Sequence, residues 1–153
     1  MLEILLSKKN KIKNKVNIIK PVVYIASPYS VGDPCINTYF QCKVFDELLT
    51  DGKVSPVAPL WSHFQHTMFP RPYENWMAYN KDMIKLYDAC LCLKAELKRL
   101  NYVQEVSKGV AIEVEYFKKL NKPVFYSKDE LYVWLKEKWD TTTRRDRVSG
   151  LET

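Results

Sequence analysis

Ser107, Gly109 and Glu113 fall within seven residues of SKGVAIEVEYFKKLNKPV (107–124), a helix-like segment that runs into the strand-like PVFY. The first turn of a helix has backbone N–H groups without intrahelical partners and lies at the positive end of the dipole, which suits a phosphate or another anion. Free amides at Gly109 and Val110, a hydroxyl donor from Ser107 and the missing side chain of Gly109 would build such a cradle. Glu113, an ionisable group one turn further, would face the same cleft. The plain alternative is that an acidic residue early in a helix only offsets the dipole on a solvated face. Lys108 adds positive charge nearby, although an exposed lysine is ordinarily just solvated.

These residues need elements to hold them. KPVVYIASPYS (20–30) reads as a buried strand ending at Ser-Pro. INTYFQCKVFDELLTDG (36–52) places Ile36, Phe40, Val44 and Leu48 four apart and stops at Gly52, so it reads as a helix. KVSPVAPLWSH (53–63) is a short strand running into a loop, its prolines marking an irregular end. ENWMAYNKDMIKLYDA (74–89) carries Trp76, Met83, Ile84 and Tyr87 on a helical stripe, and ACLCLKA follows as a third strand. AELKRLNYVQEV (95–106) lacks a period and reads as a loop. A helix over about 109–120 then leads to a fourth strand, PVFYS, and Ser127 with Glu130 forms a capping box for a last amphipathic helix.

Alternating strands and helices predict a single-domain, three-layer α/β/α fold of the flavodoxin or Rossmann-like kind, with a mainly parallel sheet of four or five strands. Ligands of such sheets bind beyond the carboxyl ends of the strands. That selects the loops 27–35, 59–72 and 94–108 and the turn after Tyr126. No internal repeat is present.

Composition narrows the class. The 153 residues, 46% hydrophobic, suffice for one domain with a sizeable core. No apolar run reaches 18 residues, and the N-terminal apolar patch is short and precedes its charges, so a cytoplasmic protein (host cytoplasm if phage-encoded) with no membrane partner is expected. Six lysines against Glu3 in residues 1–20 account for five of the six net positive charges. The chain therefore divides into a basic arm (1–19), a near-neutral α/β domain (20–139) and a flexible tail (140–153). Such an arm can bind nucleic acid, but a solvated extension is the favoured reading. Cys35, Cys42, Cys90 and Cys92 form no CxxC pair and have no histidine at zinc spacing, so no metal is called for, and Cys90 and Cys92 read as buried reduced thiols in a strand.

Taken in order, VVYIASPYS, SPVAPLWSH, W-x-x-Y-N-K-D-M-I-K-L-Y-D, S-K-G-V-A-I-E-V-E-Y and NKPVFY resemble the nucleoside 2-deoxyribosyltransferase superfamily over residues 20 to 127. The nearest likeness is to its nucleotide N-glycosidase branch and phage-type relatives. The resemblance implies chemistry at a sugar's anomeric carbon without a cofactor. Glu113 matches the nucleophile that forms a covalent glycosyl intermediate, released by water in a hydrolase or by a second base in a transferase. Tyr29 matches a position that contacts the sugar or orients the glutamate, and the alternative is a loop aromatic that only packs. Ser27 and Pro28, at the end of the first strand, count among the substrate-binding positions. His63 lies in a loop that relatives use around the base, where a lone histidine is otherwise a packing residue.

The pattern departs at the acid. The family has an aspartate in the helix before the third strand, and counting back from Asp88 puts Asn80 in that slot, with Asp82 two residues on. Positions two apart do not share a helix face. Either a local shift brings Asp82 in, or Asn80 serves with hydrogen bonds and no acidic proton. Asp88 itself reads as a cap at the helix–strand junction, with substrate contact as the alternative.

Relatives acting on free nucleosides have an aspartate where Ser107 stands, and the nucleotide branch has serine. A carboxylate there would repel a phosphate, whereas a hydroxyl at a helix N-terminus accommodates one. The expectation is therefore N-glycosidic cleavage of a nucleoside 5′-monophosphate, with base exchange between deoxynucleosides or a non-catalytic nucleotide-binding module as alternatives. The resemblance also implies a homo-oligomer, a dimer or larger, for which the aromatic-rich HFQHTMFPRPYENW could supply an interface.

Overall fold

The computed structural model describes residues 20–93, 96–97, 102–103 and 107–139. The arm, the tail and most of the 94–106 segment lie outside the described residues. In order along the chain come β1 (Val22–Ala26), α1 (Pro34–Asp51), β2 (Ser55–Val57), a 3-10 turn (Pro59–Trp61), α2 (Ser62–Met68), α3 (Tyr73–Ile84) and β3 (Ala89–Cys92). β4 (Glu96–Leu97), β5 (Tyr102–Val103), α4 (Lys108–Lys119), β6 (Val124–Phe125) and α5 (Lys128–Lys138) follow.

β1 is inner because its residues are apolar on both faces, as a parallel strand covered by helices must be. It pairs with β2 on one side and β3 on the other, and β3 pairs with β6, all in parallel, giving the order β2-β1-β3-β6. Alternation divides the strand residues between two cores. Tyr24, Ala26, Cys90 and Cys92 face α3 and α4, packing with Ile84, Val110, Val114 and Phe117. Val23, Ile25, Ala89 and Leu91 face α1 and α5, packing with Leu48 and Leu131. This is the expected three-layer α/β/α arrangement. Among the described residues, no helix is long and apolar enough to cross a membrane.

Local chemistry sets the element ends. Asp33 caps α1 by accepting from the Cys35 and Ile36 amides, Pro34 occupies its first turn, and Gly52 closes it at φ 65°. The helix expected over 74–89 ends at Ile84, five residues early. Its last carbonyls are taken by the Lys122 ammonium, which donates to Ile84, Lys85 and Tyr87, so the chain can turn into β3. Two stretches expected as loops contain structure. Residues 62–68 form α2, too short for its period to be read, and the 95–106 segment contains the antiparallel pair β4–β5.

α1 contributes more than packing. Asn37 and Gln41 are fully buried on its inner face. The Asn37 side-chain amide donates to the Tyr29 and Val31 carbonyls, fixing the loop after β1. Gln41 donates to the Ile25 carbonyl and Ser27 Oγ while accepting from the Leu60 amide, tying the end of β1 to the 3-10 turn. Two loops at the carboxyl end of the sheet are thus held by side chains whose own burial demands those bonds.

Candidate functional site

A cavity of about 350 Å3 lies at this end of the sheet. Its walls come from the loop after β1, the 3-10 turn and α2, the inner face of α3, and the start of α4. Of the four loops selected from sequence, the first two and the end of the third contribute, while the turn after Tyr126 does not line it.

Glu113 forms part of its wall. On α4 the buried residues are Val110, Glu113, Val114 and Phe117, an i, i+3, i+4, i+7 stripe, so the carboxylate occupies a core position of the helix. It is 8% exposed, which removes the reading of a solvated dipole partner. The Tyr24 hydroxyl donates to Oε1 at 2.8 Å and the Asn80 amide donates to the same oxygen at 2.9 Å. Oε2 is therefore the oxygen left to the cavity. Burial pushes the carboxyl up to about 7, against the opposing effect of the two hydrogen bonds. Tyr24 is pushed well above the usual tyrosine range, first by its own burial and then by the adjacent Glu113, so it remains a neutral donor.

α3 resolves the choice between Asn80 and Asp82. Asn80 lies on the inner face against Glu113. Asp82 projects outward, pairs with Lys85 at 2.8 Å with its side chain 76% exposed, and does not line the cavity. No register shift brings Asp82 in. Asp88 is placed by the sheet's other end: it accepts from the Val22 amide at 2.8 Å, ties β1 to the start of β3 and is likewise absent from the cavity wall.

The anion cradle is narrower than expected. Ser107 is the N-cap of α4 and its Oγ accepts from the Val110 amide at 3.2 Å, so that amide is already engaged. The amides of Lys108 and Gly109 remain without intrahelical acceptors by their position in the first turn. Gly109 lines the cavity with no positive φ, and a Cβ there would meet the Tyr73 hydroxyl at 3.6 Å and Ser107 Oγ at 3.8 Å, ordinary contacts. Glycine at 109 keeps space open and is not forced by the backbone. Among the described residues, Arg71 is the one arginine or lysine in the wall.

Tyr29 and His63 come together across two loops, the Tyr29 hydroxyl lying 2.7 Å from His63 Nδ1, and both line the cavity. Tyr29 does not reach Glu113; that contact belongs to Tyr24. Ser27 is in the wall, and Pro28, fully buried behind it, is not. Cys90 and Cys92 are buried thiols outside any disulfide, as expected. Among the described residues no cluster of histidine, cysteine and acidic side chains could hold a metal.

Sequence reasoning missed Tyr24, His66, Arg71 and Tyr73. Tyr24 carried a usable signal: a single hydroxyl in the apolar strand VVYIA must find a partner when both faces are covered. His66 and Arg71 sit on α2 and in the segment after it, where no hydrophobic period announced an element, and Tyr73 opens α3 one residue before the expected helix. No protein-family model matches the chain, and no curated protein matches it.

Proposed function

We propose that the protein cleaves the N-glycosidic bond of a nucleoside 5′-monophosphate through a covalent glycosyl intermediate on Glu113. The observation that carries this is the buried Glu113 carboxylate, with Oε1 held by two donors and Oε2 left to a cavity of about 350 Å3. That volume falls within the roughly 300–1,000 Å3 common for small-molecule sites.

Oε2 attacks C1′ as the bond to the base nitrogen breaks, and the electron pair departs with the base, which takes up a proton. Water then attacks C1′, restoring the carboxylate and releasing the sugar phosphate. Tyr24 and Asn80 orient the carboxylate without neutralising it. Neither supplies an acidic proton under ordinary conditions, so neither competes with the attack. A second nucleobase in place of water would make the same first step a transfer. Support for a phosphate at the sugar's 5′ end comes from the Tyr73 hydroxyl, which lies beside Gly109 and the first amides of α4, and from Arg71 in the same cavity wall. The exposed row Phe64, Met68 and Phe69 on and just after α2 supports self-association beside the cavity.

Purified protein is incubated with nucleoside monophosphates and free nucleosides, with and without an acceptor base, and free base is followed by chromatography. Release from a monophosphate by wild type and its loss in Glu113→Gln are expected. Binding of nucleotides without release would favour the non-catalytic module, and release persisting in the variant would exclude Glu113 as nucleophile.

A further inference from the structure

His66 sits in the cavity wall with its ring proton fixed by its neighbours. The Trp76 indole N–H donates to Nδ1 at 3.0 Å, and the Arg71 backbone N–H approaches the same nitrogen at 3.4 Å. Both groups are donors only, so Nδ1 must present its lone pair, and the proton of the neutral ring sits on Nε2. Among the described residues nothing accepts from Nε2. Tyr29 and Trp76 meet the imidazole edge-on, at 89° and 69° between ring planes, which restrains its orientation. His63 differs: Nδ1 is engaged by Tyr29, and Nε2 lies 4.0 Å from Cys35 Sγ.

We infer that His66 is the neutral hydrogen-bond donor to the departing base, its Nε2–H meeting an in-plane acceptor of a heteroaromatic ring, either a ring nitrogen or an exocyclic carbonyl. This rests on the cleavage reading of the same cavity and supplies a donor that Asn80, committed to Glu113, does not. As the C1′–N bond breaks, its electron pair collects on the base, and a fixed N–H donor disperses that charge without itself losing the proton. The base obtains its proton from water. A sugar phosphate alone offers His66 no such acceptor. Trp76 becomes a positioning residue, acting through the tautomer it selects.

The chain has two histidines, so their ring nitrogens can be assigned by comparing 15N-histidine spectra of wild type with His63→Gln and His66→Gln. Wild type is recorded alone, then with the four common nucleoside 5′-monophosphates, the free bases, and ribose 5-phosphate. Expected are a bare Nδ1 and a protonated Nε2 in His66, with the Nε2 signal moving for base-containing ligands and unmoved by ribose 5-phosphate. His66→Ala should lower kcat/KM roughly tenfold to a hundredfold, as loss of one specific polar contact does. Trp76→Phe keeps a ring but removes the indole donor, so the proton should spread over both nitrogens and kcat/KM should fall about fivefold. A proton on Nδ1 in the free protein, or bound nucleotides that leave Nε2 unmoved, would overturn the assignment. Base release with an unmoved Nε2 would remove His66 and leave the cleavage proposal standing. A moving Nε2 without base release would retain His66 as the base contact and remove cleavage.

Discussion

α4 and α5 begin alike and serve different ends. Each opens on a serine N-cap, Ser107 or Ser127, whose Oγ accepts from the amide three residues on at 3.2 Å. Each covers one face of the sheet. In α5 the early acids Asp129 and Glu130 are exposed, and Glu130 reaches back to accept from the Tyr126 amide, one residue before the N-cap and so one short of the expected capping box. Its fully buried position is Leu131. In α4 the first turn holds no acid, and the carboxylate stands one turn later on the buried stripe. The same residue type is a helix-end device in one element and a desolvated cavity-wall carboxylate in the other, and what separates them is the face on which it lies.

Removing the α4 carboxylate tests that contrast most strongly. Glu113→Gln should cut base release by roughly a thousandfold or more, about 4 kcal/mol of transition-state stabilisation. It should also stabilise the fold on the alkaline side. A buried carboxyl raised to about 7 binds its proton more tightly when folded, so its contribution to stability is complete below the ordinary glutamate value of about 4.3 and is lost as pH rises through 7. Thermal melts should therefore favour the variant above pH 7 by on the order of 3 kcal/mol, a difference that narrows toward pH 4.

Tyr24→Phe and Asn80→Ala come next. Each removes a donor that lowers the Glu113 pKa, so the rising limb of the pH–rate profile, near 7 in wild type, should move to higher pH while the plateau falls about tenfold. A limb that stays in place would mean that the two bonds do not act on the carboxylate in solution.

Ser107→Ala and Ser127→Ala sharpen the comparison between the helices. Both should cost about 1 kcal/mol in denaturant unfolding as N-caps. Only the first should also weaken nucleotide binding, because only Ser107 lines the cavity. Asp82→Asn should have the smallest effect, stability and turnover both near wild type, since an exposed pair contributes roughly 0–1 kcal/mol.

Much of this was legible in the residues themselves. The four parallel strands and four of the helices announced themselves through apolar runs and four-residue spacing. Val110, Val114 and Phe117 already placed Glu113 on the buried stripe of α4, had that stripe been counted. The choice of Asn80 over Asp82 followed from helix geometry only once α3 was seen to pack its Asn80 face on α4. What stayed hidden depends on contacts distant in sequence. Tyr24 meets Glu113 across 89 positions, and Lys122 ends α3 from 38 positions beyond Ile84. α2 has seven residues, fewer than a hydrophobic period needs to declare itself, and with it went His66.

The central claim, a glycosyl bond to Glu113, is tested most directly by mass spectrometry of protein quenched in acid during turnover of a nucleoside monophosphate. The peptide containing residue 113 should gain the mass of the sugar phosphate less water, and Glu113→Gln should gain nothing. Continued base release with no adduct on that peptide, or an adduct that maps to another residue, would contradict it.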